Sequence, residues 1–106
     1  MASYKVEVTR AARAEIRRLP GSVRQRVMRI LKTLEQEPSP KDSRQLDVAK
    51  ADVIIEQDAA LRRIKISSWR IVYLVEENDL LISVLAIRKR PPYQYEDLAE
   101  LFKDDD

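Results

Sequence analysis

The amino-acid sequence predicts an α+β fold, in which an N-terminal strand and an α-helical hairpin pack on a mainly antiparallel sheet of about four strands. Three observations lead to this prediction. A short alternating segment begins the chain, two segments with helical spacing follow, and three alternating segments with short connections fill the second half. The chain has 106 residues, of which 44% are hydrophobic and 36% are charged. That size and balance are typical of a single domain, here residues 1–106.

The first predicted elements are a strand and a helix. Residues 4–8 alternate between apolar and charged side chains, which is the period of a strand with one buried face. Thr9 is placed to cap the helix that follows. That helix carries a narrow apolar stripe, formed by Ala12, Ile16 and Leu19. Pro20 and Gly21 are expected to end it.

The second helix has the clearest periodicity in the chain. Its apolar positions recur at helical spacing, and they are Val23, Val27, Ile30, Leu31 and Leu34. Ser22 and Gln25 have the spacing of a capping box, so we expect Ser22 to be the N-cap. Pro38 is expected to end this helix. The short connection predicts that the two helices form an antiparallel hairpin.

The second half of the chain predicts three strands. They comprise residues 61–66, 69–75 and 80–88. Their short connections favour an antiparallel meander. Before them, residues 38–50 are polar and rich in turn formers, so we expect a surface connection with Leu46 turned inward. Residues 53–56 stay open between a strand and a loop, and residues 95–102 are expected to form a short C-terminal helix.

The composition excludes several classes of function. The chain has no histidine and no cysteine, which removes the commonest metal ligands, disulfides and cysteine nucleophiles. Its single glycine, Gly21, excludes the glycine-rich loops that hold nucleotide phosphates, so we expect neither a metal nor a small-molecule cofactor. No apolar run approaches the ~20 residues that cross a bilayer, and the N-terminus lacks a secretory signal. We therefore expect a cytoplasmic protein that does not bind membranes.

Positive charge is concentrated between residues 62 and 90. This segment contains seven basic and three acidic side chains, which gives it a local charge of +4 in a chain of net charge +2. Strand alternation places Arg63 and Lys65 on one face, and Arg70 on a face that is otherwise aliphatic. After the last strand, residues 88–93 join a basic cluster to a tyrosine through two prolines. This pattern suits RNA, because guanidinium groups bind phosphate and aromatic rings stack on bases.

Cleavage of RNA at a 2′-hydroxyl needs a base, a cation that stabilises the transition state and a proton donor for the leaving oxygen. Lys65 is the candidate base, because neighbouring cations lower the pKa of a lysine. The candidate catalytic residues are Lys65, Arg70, Lys89, Arg90 and Tyr93. The candidate RNA-binding residues are Arg62, Arg63, Arg88 and Tyr95. Structural explanations stay open for the same residues, namely solvated strand charges, an Arg70 paired with Glu76, Glu77 or the acidic C-terminus, and tyrosines packed on the sheet edge.

The sequence also resembles the RelE/ParE superfamily of toxins. The most specific segment is residues 63–73, a basic strand followed by Trp-Arg-Ile-Val-Tyr, and residues 86–93 are similar to the family's last strand with its basic cluster and tyrosine. The resemblance implies the toxin of a type II toxin–antitoxin system. In the branch that we favour, the toxin is an endoribonuclease that cuts mRNA in the ribosomal A site and so inhibits translation.

The resemblance carries the family's catalytic residues onto much the same set. By position they fall on Arg63 and Lys65, on Arg70, on Lys89 or Arg90, and on Tyr93 with Tyr95 as second choice. Arg63 stands where the family has a lysine, which leaves the identity of the base open. The resemblance further implies a cognate antitoxin and the ribosome as partners. Two alternatives remain, a ParE-like toxin that inhibits DNA gyrase without nuclease activity, and a non-toxic relative that only binds an antitoxin.

Overall fold

A computed structural model describes residues 3–46 and 59–89. Two helices and five strands lie in this part of the chain, in the order β1 (Lys5–Val8), α1 (Arg10–Arg17), α2 (Gly21–Leu34), β2 (Ser43–Gln45), β3 (Ala59–Ile66), β4 (Trp69–Glu76) and β5 (Leu81–Lys89). The predicted α+β class is confirmed. The predicted C-terminal helix at residues 95–102 and the open segment 53–56 lie outside the described residues. Neither described helix is long and apolar enough to cross a membrane.

The five strands form one mixed sheet in the order β1-β5-β4-β3-β2. β3, β4 and β5 form the predicted antiparallel meander, and β1 pairs with β5 in parallel. The described sheet has one strand more than expected, because β2 lies in the segment 38–50 that predicted a surface connection. β2 is only three polar residues long and pairs antiparallel with β3. No alternation of apolar side chains marks such a strand in the sequence.

The two helices begin differently. Thr9 caps α1 as predicted, since its Oγ1 accepts a hydrogen bond from the Ala12 amide at 3.2 Å. The predicted capping box of α2 is wrong, because this helix begins before Ser22. Pro20 occupies the N-cap position, and its carbonyl accepts a hydrogen bond from the Arg24 amide at 2.9 Å. Ser22 therefore lies inside the first turn, where its hydroxyl cannot act as the cap.

The sheet separates two apolar clusters. The main cluster fills the space between the helices and one face of the sheet, and its buried members include Ile16, Val27, Leu31, Ile71, Tyr73 and Ile82. The smaller cluster consists of Leu61, Val72, Leu74, Leu85 and Ala86. Leu46 packs against this smaller cluster, as predicted. We call the face of the sheet that carries the smaller cluster the Val72 face.

Tyr73 connects the main cluster to the chain that leaves α2. It is fully buried, and its hydroxyl donates a hydrogen bond to the Pro38 carbonyl at 2.8 Å. Burial raises the pKa of the Tyr73 hydroxyl, against smaller lowering effects from Ser43 and Arg62. The phenol is therefore held neutral, and its hydrogen bond fixes the start of the connection that leads to β2.

Candidate nucleic-acid interface

Three cations lie side by side across three neighbouring strands. The register pairs Lys65 of β3 with Arg70 of β4, and Arg70 with Arg88 of β5. All three lie on the Val72 face, and the Cβ atoms of directly paired residues are about 5 Å apart. We call these three residues the cationic row. Like charges placed directly opposite each other destabilise a sheet, and a bound anion would offset that repulsion.

The members of the cationic row differ in exposure. Lys65 is exposed, Arg88 is half-buried, and Arg70 between them is only 5% exposed. A charge held away from water acts through a lower effective dielectric, so it interacts more strongly with a nearby anion. The row therefore combines an accessible amine with a guanidinium group whose charge is weakly screened.

Helix α1 fixes the third member of the row. β1 ends at Val8, opposite Val84, so it does not reach the following residues of β5. α1 continues along that edge. The Glu15 carboxylate accepts a hydrogen bond from the Ile87 amide at 2.9 Å and lies 3.5 Å from Arg88 Nε. One carboxylate thus satisfies the strand edge and orients the Arg88 guanidinium.

Sequence reasoning missed this role of Glu15. A single acidic residue on an arginine-rich helix is expected to be an ordinary surface charge. The available signal is that Glu15 is the one acidic residue of α1 and lies between Ala12 and Ile16 of the apolar stripe, one helical turn after Ala12. Its partner on β5 is not visible before the fold is known.

A β-bulge in β5 decides which basic side chain joins the row. The register shifts next to Val72, so that Leu85 is an extra residue in β5. An extra residue reverses the alternation of the strand that follows it. Arg88 consequently lies on the Val72 face, whereas uninterrupted alternation from Val84 would place it on the face of the main cluster.

The remaining candidates for catalysis fall in two groups. Lys89 pairs with Trp69, so it lies on the face opposite to Arg70. The bulge is the physical reason for this position, and a catalytic role of Lys89 stays a prediction. Three further candidates, whose roles stay predictions, lie outside the described residues, namely Arg90, Tyr93 and Tyr95.

Arg62 and Arg63 have different surroundings, although the sequence suggests RNA binding for both. Arg62 pairs with Tyr73 on the face of the main cluster, and its Nε and Nη2 donate hydrogen bonds to Ser43 Oγ at 3.1 and 2.8 Å. These bonds hold β2 against β3, so Arg62 lies on the face opposite to the cationic row, and its binding to RNA stays a prediction. Arg63 is half-buried on the Val72 face, two residues before Lys65.

The family of the protein follows from its sequence as a whole. Residues 6–91 match the family described as the ParE toxin of type II toxin-antitoxin system, parDE. The chain belongs to this family. The expected RelE/ParE superfamily is confirmed, and the protein is a toxin of the type II toxin–antitoxin class. No curated protein shows significant sequence similarity to it.

Solved structures of RelE toxins share the fold of this toxin. The archaeal RelE-RelB complex from Pyrococcus horikoshii matches with a TM-score of 0.73 and 23% identity, covering 86% of this chain and 99% of that one. The RelBE2 complex from Mycobacterium tuberculosis gives 0.65 and 19%, covering 84% and 100%. The isolated RelE toxin of E. coli gives 0.62 and 21%, covering 95% and 97%. At these identities the likeness shows the fold and not the target.

The chemistry available on the Val72 face of this toxin is that of cations, which bind phosphate and other anions. Within residues 3–46 and 59–89, no group of three metal-ligating side chains is present. The cationic row presents one amine and two guanidinium groups on one face. Guanidinium groups bind phosphate oxygens in a bidentate manner, and a lysine amine accepts a proton when it is neutral. Such a set fits a phosphodiester whose negative charge increases during reaction.

Proposed function

We propose that this toxin is a ribosome-dependent endoribonuclease, which cleaves mRNA in the ribosomal A site and so inhibits translation in the cytoplasm. The supporting observation is the cationic row, in which Lys65, Arg70 and Arg88 stand in direct register on one face. The Glu15 carboxylate contacts Arg88 at one end of the row, and the three members of the row are all basic. Guanidinium and ammonium groups gathered on one face bind the phosphates of a polyanion such as RNA, which supports this proposal.

The proposed reaction begins at the ribose. The 2′-oxygen attacks the adjacent phosphorus while the bond from phosphorus to the 5′-oxygen breaks, which gives a 2′,3′-cyclic phosphate and a free 5′-hydroxyl. The neutral Lys65 amine accepts the proton of the 2′-hydroxyl. Arg70 and Arg88 stabilise the added negative charge of the phosphorane-like transition state. Tyr93 stays the candidate that protonates the leaving oxygen.

A cognate antitoxin and the ribosome are the proposed partners. The relatives from P. horikoshii and M. tuberculosis were solved as complexes, named RelE-RelB and RelBE2. An acidic segment of an antitoxin would offset the repulsion within the cationic row in the same way as RNA. Binding of the antitoxin and binding of mRNA would then exclude each other.

Cleavage on purified ribosomes tests the proposal. A defined message is incubated with ribosomes and toxin, and primer extension maps the cut sites. We expect cuts at the A-site codon only when ribosomes are present. Arg70→Ala should lose about 100-fold or more in rate, because one preorganised donor contributes about that factor. Lys65→Ala should lose less.

Arg29→Ala is the matched control, because it removes an arginine from the exposed side of α2, away from the cationic row. It should cleave like the wild type. Intact message at concentrations of wild-type toxin that arrest growth would refute the nuclease.

The family match favours a second candidate function, because its description names ParE. A ParE-like toxin would inhibit DNA gyrase and would need no catalytic residues. Gyrase-dependent DNA breaks and an SOS response, with stable mRNA, would identify this function. Expression without growth arrest would instead identify a non-toxic relative that only binds an antitoxin.

A further inference from the structure

We propose that a cavity at the β2–β3 edge is a second phosphate-binding site of this toxin. The cavity has a volume of about 290 Å³ and is lined by Lys41, Asp42, Arg44, Arg63 and Lys65. Four of these side chains are basic and one is acidic, which gives the lining a net charge of +3. The site rests on the proposed function, because its ligand is the backbone of the same single RNA strand, next to the phosphate that the cationic row holds.

The strand register makes the cavity a continuation of the cationic row. Arg44 of β2 pairs with Arg63 of β3, and Lys65 follows two residues later on the same face. Diagonal neighbours of this kind, such as Arg44 and Lys65, are about 7–8 Å apart. Lys65 therefore belongs both to the row and to the cavity. A single RNA strand that runs from Lys65 towards the edge of the sheet would contact Arg63 and then Arg44.

Ser43 fixes the turn that carries the outer part of the cavity. It is only 5% exposed, and its amide and hydroxyl both donate to the Pro40 carbonyl, at 2.9 and 2.7 Å. Its Oγ also accepts the two hydrogen bonds from Arg62. A buried polar network with its donors and acceptors matched holds one conformation. Lys41 and Arg44, on either side of Ser43, are thus exposed cations on a preorganised backbone.

The composition of the lining favours a phosphodiester backbone over other anions. Basic groups arranged along a groove bind successive phosphates of a strand. The lining contains no aromatic ring, so it offers no surface for base stacking, and we expect the contact to be independent of sequence.

Binding of an uncleavable RNA tests the cavity separately from cleavage. The probe is a short single-stranded oligonucleotide with 2′-O-methyl groups on every ribose, which leaves no 2′-hydroxyl for the reaction. Fluorescence anisotropy measures its affinity at several salt concentrations. We expect the Lys41→Ala/Arg44→Ala variant to bind about tenfold more weakly, since charge-assisted contacts to phosphate are lost. The slope of log affinity against log salt should fall by about 0.7 for each lost phosphate contact.

The matched control is Arg29→Ala/Lys32→Ala, which removes one arginine and one lysine from exposed positions of α2. A cavity variant that binds the probe as well as this control overturns the site, whether or not the wild type cleaves mRNA. Weaker binding by the cavity variant, with a wild type that leaves mRNA intact, supports the site and rejects only the nuclease. A second probe is duplex RNA. Weaker binding to the duplex alone overturns the assignment to a single strand.

Discussion

Replacing Glu15 with alanine should destabilise the protein more than replacing it with glutamine. In Glu15→Ala the Ile87 amide loses its acceptor, and Ile87 is only 2% exposed. A buried donor without a partner costs about 1–3 kcal/mol. The contact with Arg88 joins side chains that are 26% and 28% exposed, so after solvent screening it adds about 0–1 kcal/mol. We expect a total loss of about 1–4 kcal/mol for Glu15→Ala.

Glu15→Gln keeps a carbonyl oxygen that accepts from the Ile87 amide and removes the charge alone. Its expected loss is about 0–1 kcal/mol. The difference between the two variants therefore isolates the hydrogen bond to the strand edge. Urea unfolding, followed by the fluorescence of the single tryptophan, Trp69, measures both free energies of unfolding. Arg17→Ala, at an exposed position of α1, is the control for the helix itself.

Equal losses in Glu15→Ala and Glu15→Gln would contradict this reasoning, because the charge and not the acceptor would then stabilise β5. In thermal unfolding, a difference of 1 kcal/mol corresponds to about 4–8 °C for a domain of this size. The two variants are therefore easily distinguished by melting temperature.

Four further predictions concern residues of the sheet and the cap of α1. Arg62→Ala should lose about 1–3 kcal/mol in urea unfolding, through its hydrogen bonds to Ser43, while anisotropy shows unchanged RNA affinity. Arg63→Ala should lose less than about 0.5 kcal/mol but bind RNA more weakly, and the reverse outcome would contradict the assignment of faces. Burial raises the pKa of Tyr73, so the folded state keeps the phenol proton to higher pH than the unfolded state. The neutral phenol therefore contributes fully to stability below the ordinary pKa of 10.0, and this contribution is lost as the pH rises through the raised pKa. Between about pH 8 and 11, the free energy of unfolding should therefore fall more steeply with pH for the wild type than for Tyr73→Phe. Parallel curves would exclude this cause. Thr9→Ala should cost about 1 kcal/mol of unfolding free energy through loss of the α1 cap, and an unchanged midpoint in urea would show that the cap is dispensable.

The parts of the fold that follow from side-chain periodicity could be predicted from the sequence. Repeated apolar positions predict the helices and the meander, because each of these elements buries one apolar face. The pairing of Lys65 with Arg70 is equally local, because the two-residue turn at Ser67 and Ser68 leaves little choice of register. The alternation of β4 likewise places Arg70 on a face with aliphatic neighbours, so the sequence alone identifies it as a candidate functional residue.

The parts that depend on backbone irregularity or on long-range partners could not be predicted. β2 consists of polar residues, and only its hydrogen bonds to β3 make it a strand. The bulge at Leu85 inserts an apolar residue into an apolar strand, so no change of composition reveals it. The partnership of Glu15 with β5 spans 72 positions in the sequence, beyond the reach of any local pattern.

The extra residue at Leu85 also limits how this toxin is compared with its relatives. In a homologue that lacks this residue, the basic side chain opposite the β4 arginine would come one position earlier, counted from the start of β5, and the next basic residue would stand at the sequence position that Arg88 has here. An alignment of the two toxins without a gap at this point would then match a member of the cationic row in one toxin with a residue outside the row in the other. Transfer of mutational results between family members therefore depends on the length of β5 as much as on the identity of its last residues.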